Sequence, residues 1–176
     1  MKILVIDVGT SGVRAAVVEP GRGVVHSRRQ EVLPSSPAPG LVEFDATELA
    51  GAVLAVAREA ISDAGAVDAV GIANQRASTI VWDRATGTPV GPGLGWQDLR
   101  TVVDCLTLAD QGIRMAPNAA ATKIAHLLDL ADPDRTRDLC AGTVDTWVAW
   151  TLSGGSAHVT DSTNAALYGL RSEDQA

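Results

Sequence analysis

The 176-residue sequence predicts an α/β domain, a mixed sheet flanked by helices, and three observations carry that expectation. The first 33 residues hold β-branched runs separated by short Gly-containing breaks, the pattern of an antiparallel meander. Residues 46–64 follow with apolar side chains at helical spacing. After Gly65 an apolar run returns to strand character, and the remainder is mostly helical with one further short strand.

In chain order, the meander strands are Ile3 to Asp7, Val13 to Val18 and Val24 to Leu33, with Pro20-Gly21-Arg22-Gly23 as the second turn. A Pro- and Ser-rich loop runs from Pro34 to Gly40. "DATE", Asp45 to Glu48, has the form of a capping box, and Leu49, Val53, Val56, Ala60 and Ile61 then recur every three or four residues, predicting a helix over Ala46 to Ala64. Gly65 closes it. "AVDAVGIAN" reads as a buried strand beside the meander, ending at Asn74-Gln75-Arg76. "STIVWDRATGTPV" turns at Ala85-Thr86-Gly87 and predicts a hairpin on the same sheet edge. Helices are expected over Arg100 to Ala109, Thr122 to Ala131 and Thr146 to Leu152, with a strand near Leu139 to Thr143. Three antiparallel strands, a helix and a parallel strand in that order is the order of the ribonuclease-H-like fold of the actin-like ATPase superfamily.

The composition narrows the function classes. Hydrophobic residues make up 46% and charged residues 20%, which suits a globular chain with one ordinary core. A net charge of −7 argues against nucleic acid as the main partner, because non-specific affinity for phosphates comes from lysine and arginine. No apolar run reaches the roughly 18 residues of a membrane span, and none near the N-terminus has the length of a signal-peptide core. Cys105 and Cys140 fit neither a metal spacing nor a disulfide framework and read as buried free thiols, so a cytoplasmic location is expected. His26, His126 and His158 have no metal-ligand spacing.

The chemistry gathers in the first turn. Asp7 ends the first strand, where a carboxylate can hold a magnesium ion directly or through water. Gly9 and Gly12 let backbone approach a phosphate, and the amides and hydroxyls of Thr10 and Ser11 can donate to its oxygens. Arg14 supplies a planar fork matched to a phosphoryl group. The alternative is a plain Gly-Thr-Ser-Gly hairpin with an incidental acid.

"DVGTSGVRAAVV" resembles the first phosphate motif of the FGGY carbohydrate kinases. "GLVEFD", "GIANQRASTIVWDRATGTPVGPGLGWQDLRT", "ATKIAHLLD" and "GTVDTWVAWTLSGGSAHVTDSTNAALY" resemble, in order, later segments of that family's glycerol-kinase branch. The resemblance implies ATP and Mg2+ as cofactors, with Asp7 beside the metal and Gly9, Thr10, Ser11, Gly12 and Arg14 around the nucleotide phosphates. It implies a small sugar or polyol partner at the end of the fourth strand, where Gln75, Arg76, Ala77 and Asn118 take the substrate positions. Asp98 and Asp161 read as structural or cleft-lining acids, and Trp96, Trp147 and Trp150 as packing.

Two positions depart from the glycerol-kinase pattern. Ala77 stands where a polyol-gripping glutamate is expected, and Asn118 stands where a tyrosine is expected, so glycerol is not the expected substrate. Each hydrogen-bond partner lost from a buried site removes about 1–3 kcal/mol of discrimination. Family kinases continue into a second domain that carries the adenosine pocket and the aspartate acting as general base. Residues 1–176 are therefore expected to be the amino-terminal kinase domain, with no catalytic residue of their own, inactive alone and partnered by a carboxy-terminal domain, the full-length protein being open to homo-oligomerisation. The alternative is a non-catalytic phosphate- or sugar-binding domain acting with a separate partner. A two-metal nuclease of the same fold would need an acid at the end of the fourth strand, where the sequence has Asn74-Gln75-Arg76.

Overall fold

A computed structural model describes residues 1–169 as two compact units, Met1–Leu33 with Thr47–Gln75, and Pro34–Ala46 with the residues from Arg76 onward. The strands of the first half are β1 (Ile3–Gly9), β2 (Gly12–Glu19), β3 (Gly23–Glu31), β4 (Glu43–Phe44), β5 (Ala69–Asn74), β6 (Thr79–Asp83) and β7 (Gly93–Leu94), with helix α1 (Ala46–Ala64) between β4 and β5. Then come α2 (Val102–Asp110), α3 (Ala120–Ala131), β8 (Leu139–Thr143), α4 (Val144–Leu152) and the short α5 (Ser162–Ala165).

The first unit is built on a sheet of order β3-β2-β1-β5, antiparallel except for the parallel β1–β5 pair. Alternation gives this sheet two unlike faces. Leu4, Ile6 and Val8 pair with Val17, Ala15 and Val13, and all six are buried. The buried side of α1, Leu49, Val53, Val56 and Ala60, supplies the apolar cover, and Arg28, which shares the face of its β2 partner Ala15, reaches Asp63 and Glu59 of α1. Each buried branched side chain contributes about 1.5–3 kcal/mol, so slipping one strand by one residue is too costly to compete. The opposite face carries Asp7, Arg14 and Arg29, all exposed. Gly65, at φ +78°, ends α1 and donates its amide to Ile61 O at 2.7 Å, a left-handed terminus that glycine adopts without steric cost.

The second unit holds an antiparallel sheet of order β4-β7-β6-β8. Against it pack Leu127, Ile124 and Leu128 of α3, around Val81 and Leu94. Trp82 of β6 meets Trp147 and Trp150 at ring-centroid distances of 5.1 and 5.7 Å, and Trp147 Nε1 donates to Ala46 O at 2.9 Å.

Several expectations need correction. The turn at 85–87 forms, with Asp83 Oδ1 accepting from the amides of Ala85 and Thr86, but β6 is not an addition to the first sheet. It pairs with β7 and β8 in the second sheet, and only an isolated bridge, Trp82 to Pro89, remains of the hairpin. The run at 69–74 is an edge strand among the described residues rather than a buried one, and Val70 is 51% exposed. Helix α2, expected from Arg100, begins at Val102 because Arg100 is held by Asp98 and Glu43, and Thr101 by Thr122. Trp147 and Trp150 pack in the interior, whereas Trp96 is 42% exposed.

Candidate phosphate and substrate sites

In the first unit, cross-strand register brings together residues far apart in sequence. Asp7 lies opposite Arg14 on β2, and Arg14 lies opposite Arg29 on β3. Directly opposed residues share a face, so one carboxylate and two guanidinium groups form a row on the side of the sheet turned away from the buried face. With Gly9, Ser11, Gly12 and Val13 they line a cleft of about 240 Å³ at the β1–β2 turn. None of the three charged residues is in an ion pair among the described residues. Arg28, one residue away and on the other face, is committed to α1.

Five of the six residues assigned to the phosphate site therefore share one cleft: Asp7, Gly9, Ser11, Gly12 and Arg14. Thr10 does not line it. Arg29 was not singled out from the sequence: counted back from the second turn, where Val18 faces Val24, Arg14 would face Arg28, and only the register shift between Val17 and Val18 sets Arg29 beside it.

The two glycines differ. A Cβ on Gly12 would stand 2.5 Å from Gln30 O, so close approach of β2 to β3 requires glycine there whatever binds in the cleft. A Cβ on Gly9 would meet only Gly12 O, at 3.6 Å, an ordinary contact. Gly9 is thus dispensable to packing and leaves room on the cleft wall.

The donor set suits a magnesium nucleotide. Among the described residues no cluster of three or more His, Cys, Asp or Glu side chains could hold a metal ion alone. Mg2+ commonly takes one or two carboxylates and completes its shell with phosphate oxygens and water, and Asp7 fits that arrangement.

The residues assigned to the substrate are distributed over both units. Gln75 closes the first, its amide donating to Val8 O at 2.7 Å. Arg76 opens the second and is exposed, as is Asn118. Ala77 is 2% exposed and sits at φ +65°, a left-handed conformation that costs an alanine about 1–2 kcal/mol. Its methyl group is buried, so a longer side chain at this position would have to leave the Ala77 packing to reach a sugar.

Lys123 of α3 was not assigned a role from the sequence, yet it ties these segments together. It is fully buried, and its Nζ donates to Gly95 O at 3.0 Å and to Ala77 O and Asn118 O at 3.3 Å each. Burial pushes its pKa down from 10.5 to about 8, partly opposed by Asp98 and Cys105. A lysine inside "ATKIAHLLD" looks like one solvated position of an amphipathic helix, and only its burial shows otherwise.

Asp98 is structural. It is buried and accepts from the Arg100 side chain and from the amides of Val42 and Arg100. Burial pushes its pKa up, but these bonds and the Arg100 charge outweigh that and hold it below the usual carboxylate range. Asp161 caps α5, its side chain accepting from Thr163 N and Asn164 N, and hydrogen bonds from the Thr163 and Asn164 side chains, with those amides, draw its pKa down. His158 packs edge-on against Trp82 and Trp150, and both cysteines are free and buried.

Residues 2–171 match the amino-terminal domain of the FGGY family of carbohydrate kinases. The chain belongs to that family. Among its curated FGGY relatives, a glycerol kinase of Cereibacter sphaeroides is 40% identical over 181 residues, covering 93% of this chain and 37% of the relative. A glycerol kinase of Bacillus subtilis is 36% identical over 197 residues, covering 98% and 40%. Among solved structures, glycerol kinase of Plasmodium falciparum with ADP superposes at a TM-score of 0.88 with 24% identity, over 99% of this chain and 38% of that one. Ligand-bound xylulose kinase of Lactobacillus acidophilus superposes at 0.83 with 19% identity, over 96% and 36%. These likenesses show the fold of the actin-like sugar kinases. The chain spans about two fifths of the length of the curated FGGY relatives. No helix among the described residues is long and apolar enough to cross a membrane.

Proposed function

We propose that this chain is the amino-terminal domain of an ATP-dependent carbohydrate or polyol kinase, supplying the phosphate-facing wall and part of the sugar site, with a carboxy-terminal domain supplying the general base. The row Asp7, Arg14, Arg29 along one cleft carries the reading, and family membership and the length of the relatives support it. Phosphoryl transfer depends on positioning and on neutralising charge that spreads over the equatorial oxygens. Arg14 and Arg29 offer planar donors for those oxygens, Ser11 offers an amide and a hydroxyl, and Asp7 would hold Mg2+, which would supply positive charge against the phosphates. Alone, this half excludes little water and carries no base, so no sugar-dependent ATP consumption is expected of it.

For the substrate, Ala77 and Asn118 support a sugar or polyol other than glycerol, while the relatives named glycerol kinase favour glycerol. Assay of the parent kinase over glycerol, longer polyols and pentuloses decides between them. The phosphate reading is tested by titrating the protein with inorganic phosphate and with Mg-ADP while following amide resonances. Saturable shifts confined to residues 9–14 and 29, weakened about tenfold by Arg14→Gln or Arg29→Gln, are expected. Shifts scattered over the surface, or unchanged in both variants, refute it.

A further inference from the structure

Only two lysines occur in the chain, and their settings are opposite. Lys2 is partly exposed, donating to Ala64 O and lying 3.8 Å from Glu19. Lys123 has no exposure and, among the described residues, no carboxylate within ion-pair distance, and the oxygens of Asp98 are taken by Arg100 and the Val42 amide. Burying a charge without a counter-ion is costly, and a methionine would fill similar volume without that cost. What an ammonium adds is three donors on one atom. Here each has an acceptor, and the acceptors lie on three separate segments: the turn that follows residue 75, the stretch after β7, and the approach to α3.

Two of those segments contain Arg76, Ala77 and Asn118. The Gly95 carbonyl belongs to the third, whose next residue, Trp96, donates its amide to Ser78 Oγ at 3.0 Å. The turn at Ala77 is strained at φ +65° and so needs an external tie to persist.

We propose that Lys123 is the positioning residue of the sugar side, its ammonium fixing the mutual spacing of the Arg76–Ala77 turn, the Gly95–Trp96 segment and Asn118. The proposal rests on reading Arg76 and Asn118 as sugar contacts. Lys123 does not touch the sugar; it sets where the groups that do are held. Loss of its proton leaves two donors for three carbonyls, so the three segments respond together. The charged or titratable groups acting on it are Asp98, itself held by Arg100, and Cys105, whose Sγ lies 3.9 Å from Thr122 Oγ1.

With two lysines, selective 13Cε labelling yields two resolvable signals. Lys123 should titrate with a midpoint near 8, and the amides of residues 76–78, 95–97 and 119 should follow that midpoint while those of residues 83–87 do not. In Lys123→Met that shared response should vanish. Separate midpoints in the three segments, or no response to Lys123, overturn the proposal, and the wild-type titration decides this even if the variant fails to fold. Titration with glycerol, xylitol and D-xylulose is the second arm. Sugar-induced shifts at Arg76 and residue 119 should weaken at least tenfold in Lys123→Met, and equal shifts in both proteins overturn the proposal. If no sugar moves these signals in wild type, the failure belongs to the substrate reading, and the titration arm alone decides for or against Lys123.

Discussion

Replacing Lys123 with methionine sets two opposed terms against each other. The ammonium leaves behind the carbonyls of Ala77, Gly95 and Asn118, and each unpaired buried acceptor costs about 1–3 kcal/mol, about 3–9 kcal/mol in all. Against this, the variant no longer buries a charge. Holding the lysine pKa at about 8 rather than 10.5 corresponds to about 3.4 kcal/mol at neutral pH. The net loss at pH 7 is then about 0–6 kcal/mol. The pH dependence is sharper. Because the folded pKa is depressed, the unfolded chain binds more protons between about pH 8 and 10.5, so this lysine's contribution to stability rises with pH across that window. From pH 7 to 9.5 the stability gap between wild type and variant should widen by about 2 kcal/mol, in favour of wild type. Urea unfolding of both proteins at the two pH values measures it, and taking the difference removes titrations common to both. A gap that stays flat or narrows refutes a buried ammonium at position 123.

Gly12→Ala should destabilise the first unit by at least about 2 kcal/mol, because its Cβ meets a β3 backbone carbonyl, whereas Gly9→Ala should melt near wild type and lose phosphate affinity instead. Calorimetry and phosphate titration on the pair separate the packing glycine from the cleft glycine. Ala77→Gly should relieve the left-handed strain, less about 0.4–1 kcal/mol of added unfolded-state entropy, leaving stability unchanged or raised by up to about 1.6 kcal/mol; clear destabilisation would mean the methyl packing matters more than the backbone. Asp98 has a depressed folded pKa, so its contribution is present above the usual carboxylate range and is lost as pH falls through it. The acid limb of the stability curve should therefore be shallower in Asp98→Asn, as followed by urea unfolding below pH 5. In the parent kinase, Ala77→Glu should improve glycerol use more than use of the native sugar, with Asn118→Tyr adding to it. Because the Ala77 side chain is buried, a fall in kcat/KM for every sugar would show that the glutamate displaces the turn instead of reaching the substrate.

Local signals determined a large part of this protein. The helix over 46–64 follows from apolar spacing and a left-handed glycine stop, and the meander from β-branched runs broken at short intervals, because backbone propensity and burial of one face act over a few residues. Asp7, Gly9, Ser11, Gly12 and Arg14 could be grouped from sequence because a tight turn joins the strands that carry them. Pairing between distant segments was decided only by the tertiary structure. A strand's amides and carbonyls accept any well-placed partner, so the residues of β6 do not say that β7 and β8, rather than the edge of the first sheet, will bond them. Arg29 enters the cleft through the β2–β3 register, which shifts between Val17 and Val18, and Gly12 is required by a carbonyl 18 residues further along the chain. Lys123 is the extreme case: its role depends on carbonyls at 77, 95 and 118, and every residue type has a carbonyl, so no side-chain pattern could have announced it.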